Sequence, residues 1–195
     1  MQKQSFLFLL LLLAASLLLA YHSFYEIPAY VLIIRFLGIF AFLLLSVTLI
    51  ISPLISINPA VFAPLLEPRR AIGIAAFIFA LLHSILVLLF YFDSKPAGLF
   101  SQPALFIGAF ALLILFILAI SSSDWAIRTL GANNWKIIHK FNYLVFVLAF
   151  LHFLFKSNGL FGAKSLNLAE VFLFTFAIAV ILLRLVAFLK KKKSM

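Results

Sequence analysis

Three of the chain's four histidines lie in long apolar runs: His83 in ALLHSILVLLF, His139 in WKIIHKFNYLVF and His152 in VLAFLHFLF. A titratable ring is costly within a bilayer, and such residues usually face the bundle interior and serve a function. Imidazoles are ligands for haem iron, so these three side chains are candidate metal ligands. The competing interpretation is that each ring hydrogen-bonds a neighbouring helix and only stabilises packing.

The spacing of these histidines predicts one shared site and one separate site. His83 follows Arg70 by 13 residues, and His152 follows His139 by 13 residues, which corresponds to about 20 Å of helix. With Arg70 and His139 at the same membrane edge, His83 and His152 reach a similar depth and can hold one haem iron between them. On one ideal helix, however, His139 and His152 would point about 140° apart.

The elements that position these residues must be membrane helices. The 195-residue chain is 67% hydrophobic, compared with about 45–50% in soluble domains. We therefore predict an all-α fold, a polytopic membrane bundle of six transmembrane helices that forms a single membrane domain over residues 1–195. The six apolar segments cover residues 6–20, 30–51, 71–92, 103–120, 137–155 and 168–189.

Charge and cysteine content narrow the function and the topology. The absence of cysteine excludes thiolate-ligated haem, iron–sulfur clusters and cysteine zinc sites. The net charge of +10 gathers at helix ends and in the tail Lys190 to Lys193, which by the positive-inside rule predicts that both termini are cytoplasmic. We thus expect a multi-pass protein of the cell membrane, with a first helix that is retained, and no nucleic-acid partner. The basic tail suits the anionic surface of the lipid bilayer.

Three arginines are candidate cofactor-binding residues. Arg35, inside the second segment, either extends to the interface or pairs with a haem propionate. Arg69 and Arg70 are topology determinants that can also face an anionic cofactor or partner. Near His139 the sequence leaves two occupants open, which are a second, unevenly ligated haem and another cofactor such as the flavin FMN.

Three runs of residues resemble the ferric-reductase-like transmembrane family. They are EPRRAIGIAAFIFALLHSILVLLFYFD, SSSDWAIRTLGANNWKIIHKFNYLVFVLAFLHFLF and RFLGIFAFLLLSVTLIISPL. Within this family, the chain looks most like the haem-binding subunit of bacterial protein-methionine-sulfoxide reductase systems. The resemblance covers residues 35 to 155 and implies a haem-binding core at about 30–156.

The resemblance implies b-type haem, with the axial histidines mapping onto His83 and His152 and an inner histidine onto His139. Many larger members carry two histidines on the third helix and a flavin and nicotinamide domain. This chain has one such histidine and ends at Met195. We therefore expect one or two haems, and an electron-transfer subunit of an oxidoreductase rather than a self-sufficient enzyme.

The predicted function is that of an integral membrane b-type cytochrome that passes electrons across the membrane. A bis-histidine iron has no open coordination position, which suits electron transfer. By resemblance, the donor is a separate cytoplasmic flavin reductase or the quinone pool, and the acceptor is an external oxidoreductase subunit, a methionine-sulfoxide reductase. Two alternatives remain open: a ferric, cupric or quinone-linked transmembrane reductase, and a haem-free scaffold or transporter subunit.

Overall fold

The computed structural model describes residues 3–24, 28–92, 102–156 and 168–193, and every regular element within these ranges is helical. The all-α prediction is therefore confirmed. A single 3₁₀ turn, Ala63–Leu65, joins α3 to α4. The helices are α1 (Lys3–Phe24), α2 (Ala29–Ile57), α3 (Pro59–Phe62), α4 (Leu66–Phe92), α5 (Pro103–Ile120), α6 (Asp124–His139), α7 (Phe141–Lys156) and α8 (Leu168–Lys193).

Within the described ranges, five helical stretches are long and apolar enough to cross a bilayer. Leu10–His22 in α1 is a further, shorter apolar stretch. Large apolar side chains such as Leu18 and Phe188 are exposed on the outside of the bundle, as a surface in contact with lipid requires. The prediction of a polytopic membrane bundle is confirmed, whereas the cytoplasmic location of the termini remains a prediction. The five stretches are Ala29–Ile57, Pro59–Phe92, Pro103–Ile120, Asp124–Lys156 and Leu168–Lys190.

Helix α2 is the centre of the bundle. It packs against α1, α4, α7 and α8, and it carries more of the buried core residues than any other described helix. Its Phe42 stacks on Phe146 of α7 with ring centroids 5.3 Å apart, and its Phe40 meets Phe79 of α4 edge-on at 4.6 Å. Helix α5 pairs with α7 and also contacts α4. The histidine-bearing helices α4 and α7 are thus each packed against a neighbour, α2 and α5 respectively.

The predicted fifth segment, residues 137–155, lies within the apolar stretch Asp124–Lys156 but is not one uninterrupted helix. The chain forms α6 and α7 instead, separated at Lys140. The amide of Lys140 donates to the carbonyl of Ile137, and the amide of Tyr143 donates to the carbonyl of Lys140, so both bonds span three residues and tighten the chain locally. His139 therefore ends α6 rather than lying on the helix of His152, and the 140° calculated for one ideal helix does not apply.

Helix α6 was mostly not predicted, because its residues up to 136 lie outside all six predicted segments. Its start is set by Ser123, whose Oγ accepts a hydrogen bond from the Ala126 amide at 3.1 Å, with Asp124 in the first turn. Gly131 interrupts it with φ 73° and ψ 156°, a conformation that is essentially restricted to glycine. The helix is consequently two short pieces that lead to His139.

Candidate functional site

The structure brings His83 of α4 and His152 of α7 together, as the depth argument predicted. Their ring centroids are 6.3 Å apart and their ring planes are inclined at 85°. Both side chains are partly buried, and they reach each other from helices that belong to different packed pairs. The geometry establishes their proximity, and their role as ligands remains a prediction.

Each of the two histidines is anchored by a backbone carbonyl of the neighbouring helix. Nδ1 of His83 lies 2.8 Å from the carbonyl oxygen of Ile34 in α2, and Nδ1 of His152 lies 2.6 Å from that of Ala104 in α5. A carbonyl oxygen only accepts hydrogen bonds, so each Nδ1 donates and carries the ring proton. Nε2 then keeps its lone pair, which is the arrangement that metal-ligating histidines usually adopt.

A glycine lies four residues after each accepting carbonyl, and its missing side chain makes room for the ring. A Cβ on Gly108 would lie 2.7 Å from Nδ1 of His152, and a Cβ on Gly38 would lie 3.1 Å from Nδ1 of His83. In a helix the amide of residue i+4 bonds the carbonyl of residue i, so any side chain there stands beside that carbonyl. Only glycine leaves the carbonyl open to an imidazole from the next helix.

These four anchoring positions were missed by reasoning from the sequence, although a signal is present. The chain reads IRFLG over residues 34–38 and ALFIG over residues 104–108. In both, a Phe and a branched apolar residue precede the glycine, and the accepting residue lies four positions earlier. The shared spacing could have linked the second segment to the fourth.

The pair fits the axial ligands of a haem iron. An imidazole nitrogen binds a metal at about 2 Å, and the ring centroid lies about 1 Å behind that nitrogen, so two opposed rings on one ion have centroids about 6 Å apart. Two nitrogens do not complete the shell of a bare metal ion. Among the described residues there is no group of three or more His, Asp or Glu side chains that could do so. A porphyrin brings its own four nitrogens and needs only this pair.

A cavity of about 430 Å³ lies around His139. The indole of Trp135 packs on the His139 ring with centroids 4.2 Å apart, and its Nε1 donates to the Ser121 carbonyl at 3.0 Å. Nε2 of His139 lies 3.4 Å from Oγ of Ser121. Four basic residues also line this cavity: Arg69, Arg70, Lys136 and Lys140.

Two of these cations are held in place by neighbouring groups. Nε of Arg69 donates to the carbonyl of Thr48 in α2 at 3.1 Å, and Arg70 forms an exposed ion pair with Asp124 at the start of α6. Several fixed cations around one opening favour an anionic occupant. The predicted association of the two arginines with the inner histidine is therefore present in the geometry, while their binding role stays a prediction.

The histidine pair and the cavity lie at opposite ends of the bundle. The length of α5 gives their separation. His152 bonds the carbonyl of Ala104 near the start of α5, and His139 lies against Ser121 just past its end. Those 17 residues correspond to about 25 Å along the helix. Arg35 is exposed and directly follows Ile34, so it lies at the level of the pair, as its proposed contact with a propionate requires.

A family described as "Ferric reductase like transmembrane component" matches residues 37–150. This range contains His83, His139 and both glycines, and it ends two residues before His152. The predicted haem-binding core of about 30–156 encloses the same range. The match thus covers more than half of the chain.

Several curated relatives have similar sequences. The protein-methionine-sulfoxide reductase heme-binding subunit MsrQ of Agrobacterium fabrum is 32% identical over 157 residues, which are 77% of this chain and 67% of that protein. The subunit of the same name from Azospira oryzae is 30% identical over 152 residues, covering 76% and 62% respectively. The magnetosome protein MamZ of Magnetospirillum gryphiswaldense is 30% identical over 128 residues, or 64% of this chain and 19% of that protein. The chain therefore spans at most about two thirds of these relatives.

Proposed function

This chain belongs to the ferric reductase like transmembrane family, and from that premise we propose that it is a haem-binding electron-transfer subunit of a membrane oxidoreductase. The name of the MsrQ relatives states that they bind heme and are subunits of a protein-methionine-sulfoxide reductase. We extend both properties to this chain. The acceptor is then a separate oxidoreductase that reduces oxidised methionine in proteins.

The observation that carries the proposal is that His83 and His152 are held in the same way, each by a backbone carbonyl and a glycine of a neighbouring helix. Two histidines on different helices each donate Nδ1–H to a carbonyl of a neighbouring helix. Each ring also lies against a glycine of the helix that provides this carbonyl. Interhelical packing alone explains one such contact, but it does not explain why both free Nε2 atoms belong to rings only 6.3 Å apart. Haem iron supplies reversible one-electron chemistry when bound. The chain's own residues fix the tautomers and orient the rings.

The cavity at His139 is the proposed entry point for electrons. Its four basic side chains suit the phosphate of FMN or the propionates of a second haem, and His139 offers one ring nitrogen to either. A separate flavin reductase or the quinone pool would deliver electrons at this end. The positive charge concentrated here supports a cytoplasmic location for this end by the positive-inside rule, and the histidine pair would then lie in the outer half of a cell membrane.

The proposal is tested by optical spectra of the purified protein. We expect a dithionite-reduced minus oxidised spectrum typical of low-spin b-type haem, and we expect His83→Ala or His152→Ala to abolish it. His22→Ala is the matched control, because His22 is exposed on α1, and its spectrum should equal that of the wild type. If His139→Ala removes part of the signal, a second haem is present; if it leaves the signal intact, the pair holds the only haem.

Two outcomes would favour the alternative functions. A wild-type protein that takes up no haem, even after reconstitution, would refute the proposal and favour a scaffold or transporter subunit. The description of the family as ferric reductase like is the observation in favour of the other alternative, a reductase that would reduce ferric or cupric ions directly at the outer face. Proteoliposomes that contain a reductant inside distinguish the two acceptors, ferric citrate and the methionine-sulfoxide reductase, when each is added outside. If ferric citrate is reduced as fast as the methionine-sulfoxide reductase, the result would favour the metal reductase.

A further inference from the structure

A cleft between α2, α7 and α8 is separate from the cavity at His139, although Tyr143 lines both. It measures about 850 Å³. Its polar lining consists of the hydroxyl groups of Ser52, Ser56 and Tyr143 and the cationic groups of Arg184 and Lys190. Among the described residues that line it, none is a carboxylate. The cleft therefore presents two positive charges without an acidic partner in its lining.

Arg184 is held inside the cleft rather than extended towards water. Its guanidinium lies over the ring of Tyr143, 4.6 Å from the centroid. Its Nε is buried and has no hydrogen-bond partner among the described residues. An unsatisfied donor on a charged group at membrane depth is unfavourable, so an anion that accepts from this guanidinium would stabilise the bundle.

Lys190 is positioned one and a half turns further along α8. Its Nζ donates to the carbonyls of Ser56 and Ile57, at 3.3 Å and 3.0 Å, at the end of α2. These bonds fix the ammonium group beside the opening of the cleft. Arg184 and Lys190 are about 9 Å apart along the helix axis, with the Ser52 and Ser56 hydroxyl groups on the facing helix.

The rest of the lining is apolar and continuous with the outer surface of the bundle. Ile181, Leu185 and Phe188 line the cleft and are each more than half exposed. An occupant must therefore combine an anionic group with hydrocarbon that can lie along α8. Basic pockets between transmembrane helices bind the head groups of acidic lipids in this way. A neutral quinone would fit the apolar wall but would not compensate either charge.

We propose that this cleft binds an acidic phospholipid, with its phosphate between Arg184 and Lys190 and its acyl chains along α8. Both cations lie outside residues 37–150, the range that the family matches. The match to the family therefore does not include the two cations of the site, although Ser52, Ser56 and Tyr143 lie within it. The site is independent of the proposed haem, and so is its test.

The test measures the melting temperature of the full-length protein in a neutral detergent. It is titrated with dioctanoyl phosphatidylglycerol, dioctanoyl phosphatidylcholine or inorganic phosphate. A ligand that binds only the folded state raises the melting temperature, and the rise grows with the logarithm of the ratio of ligand concentration to Kd. We expect phosphatidylglycerol to stabilise the wild type at concentrations at which the other two have no effect.

The variant that tests the site is the double change Arg184→Gln and Lys190→Gln. Near a membrane surface each basic residue contributes about fivefold to the affinity for acidic lipid, so the apparent Kd should rise about thirtyfold. Arg128→Gln is the matched control, because it removes one charge from an exposed position on α6, and it should leave the Kd unchanged. If the double variant does not fold, Lys190→Gln alone should raise the Kd about fivefold.

Three results would overturn the proposal. The first is equal stabilisation by phosphatidylglycerol and phosphatidylcholine, which would mean that the charge of the head group is not recognised. The second is full stabilisation by inorganic phosphate, which would identify a site for the free anion. The third is a double variant that binds phosphatidylglycerol as tightly as the wild type does.

Discussion

Replacing Gly108 by alanine should weaken haem binding more than the same change at Gly38. The new Cβ on residue 108 would lie 2.7 Å from Nδ1 of His152, whereas ordinary contact begins at 3.4 Å, so the ring must retreat by about 0.7 Å. The bond to the Ala104 carbonyl, 2.6 Å long, would then exceed the usual limit of about 3.2 Å. Loss of such an outer-shell bond typically lowers metal affinity about 10–100-fold.

Gly38 provides a graded comparison. Its Cβ would lie 3.1 Å from Nδ1 of His83, so the ring needs to move by only about 0.3 Å to reach ordinary contact. The 2.8 Å bond to the Ile34 carbonyl survives a shift of that size. We expect less than about a tenfold loss of haem affinity, since this outer-shell bond is retained.

Gly73→Ala is the control for both changes in the part of the haem signal that depends on His83 and His152, because Gly73 lines the separate cavity at His139. This glycine lies on α4, and an added Cβ would make only ordinary contact, 3.8 Å from Cγ2 of Thr48. Replacing a helical glycine by alanine stabilises a helix by about 0.5–1 kcal/mol when nothing clashes, so loss of folding would not account for lost haem.

The assay is haem titration of each purified apoprotein, followed by absorbance. The expected order of affinity loss is G108A, then G38A, with G73A equal to the wild type. A G108A protein that binds haem as tightly as the wild type, or a G73A protein that loses as much as G108A, would refute the role assigned to these glycines.

Two further substitutions, both on α6, test how this helix positions His139 at its cavity. Gly131→Ala forces an L side chain into φ 73° and ψ 156° and should lower the free energy of unfolding by about 1–3 kcal/mol; chemical denaturation measures this, and an unchanged stability would contradict the break in α6. Trp135→Phe keeps a ring beside His139 but loses the indole bond to the Ser121 carbonyl, so stability should fall by about 0.5–1.5 kcal/mol. Its reduced spectrum should change only in the part that depends on His139, and a change in the part that depends on His83 would show that the two sites are not separate.

Hydrophobicity predicted most of the fold because the bilayer imposes it. Residues 103–120 were predicted as a helix, and α5 has the same bounds. Helix α2 runs to Ile57, six residues beyond its predicted end, and contains the buried Pro53. Proline usually interrupts a soluble helix, but in a membrane bundle neighbouring helices stabilise the continuation, and α4 and α8 pack against α2.

The break between α6 and α7 could not be predicted from apolarity. Residues 137–155 form one apolar run, and the interruption at Lys140 is a local tightening of the hydrogen bonds. The break at Gly131 was not predicted either: this residue alone is non-helical, and it divides α6 into two short pieces with no loop between them. A lone glycine in a sequence does not by itself indicate such a break.

The proximity of His83 and His152 was predicted from the sequence, whereas the carbonyl groups and glycines that anchor them were missed. Depth arithmetic brought His83 and His152 together because helical rise is nearly constant. The accepting carbonyls of Ile34 and Ala104 were invisible to that reasoning, since every residue has a carbonyl and only the rotation of one helix against another selects which one is met. The glycines four residues after these carbonyls were the sequence feature that could have indicated which carbonyls are met.

The separation of the two sites places a requirement on the proposed function. An electron that enters at the cavity of His139 must reach the histidine pair, about 25 Å away along α5. Electron tunnelling slows exponentially with distance, so one haem at the outer end does not connect the two faces at a useful rate. Because the cavity has four cations, a stacked tryptophan and a histidine nitrogen, it suits an anionic redox cofactor that would divide this distance. A protein that holds only the outer haem and has no flavin in the cavity should therefore accept electrons from the outer face alone.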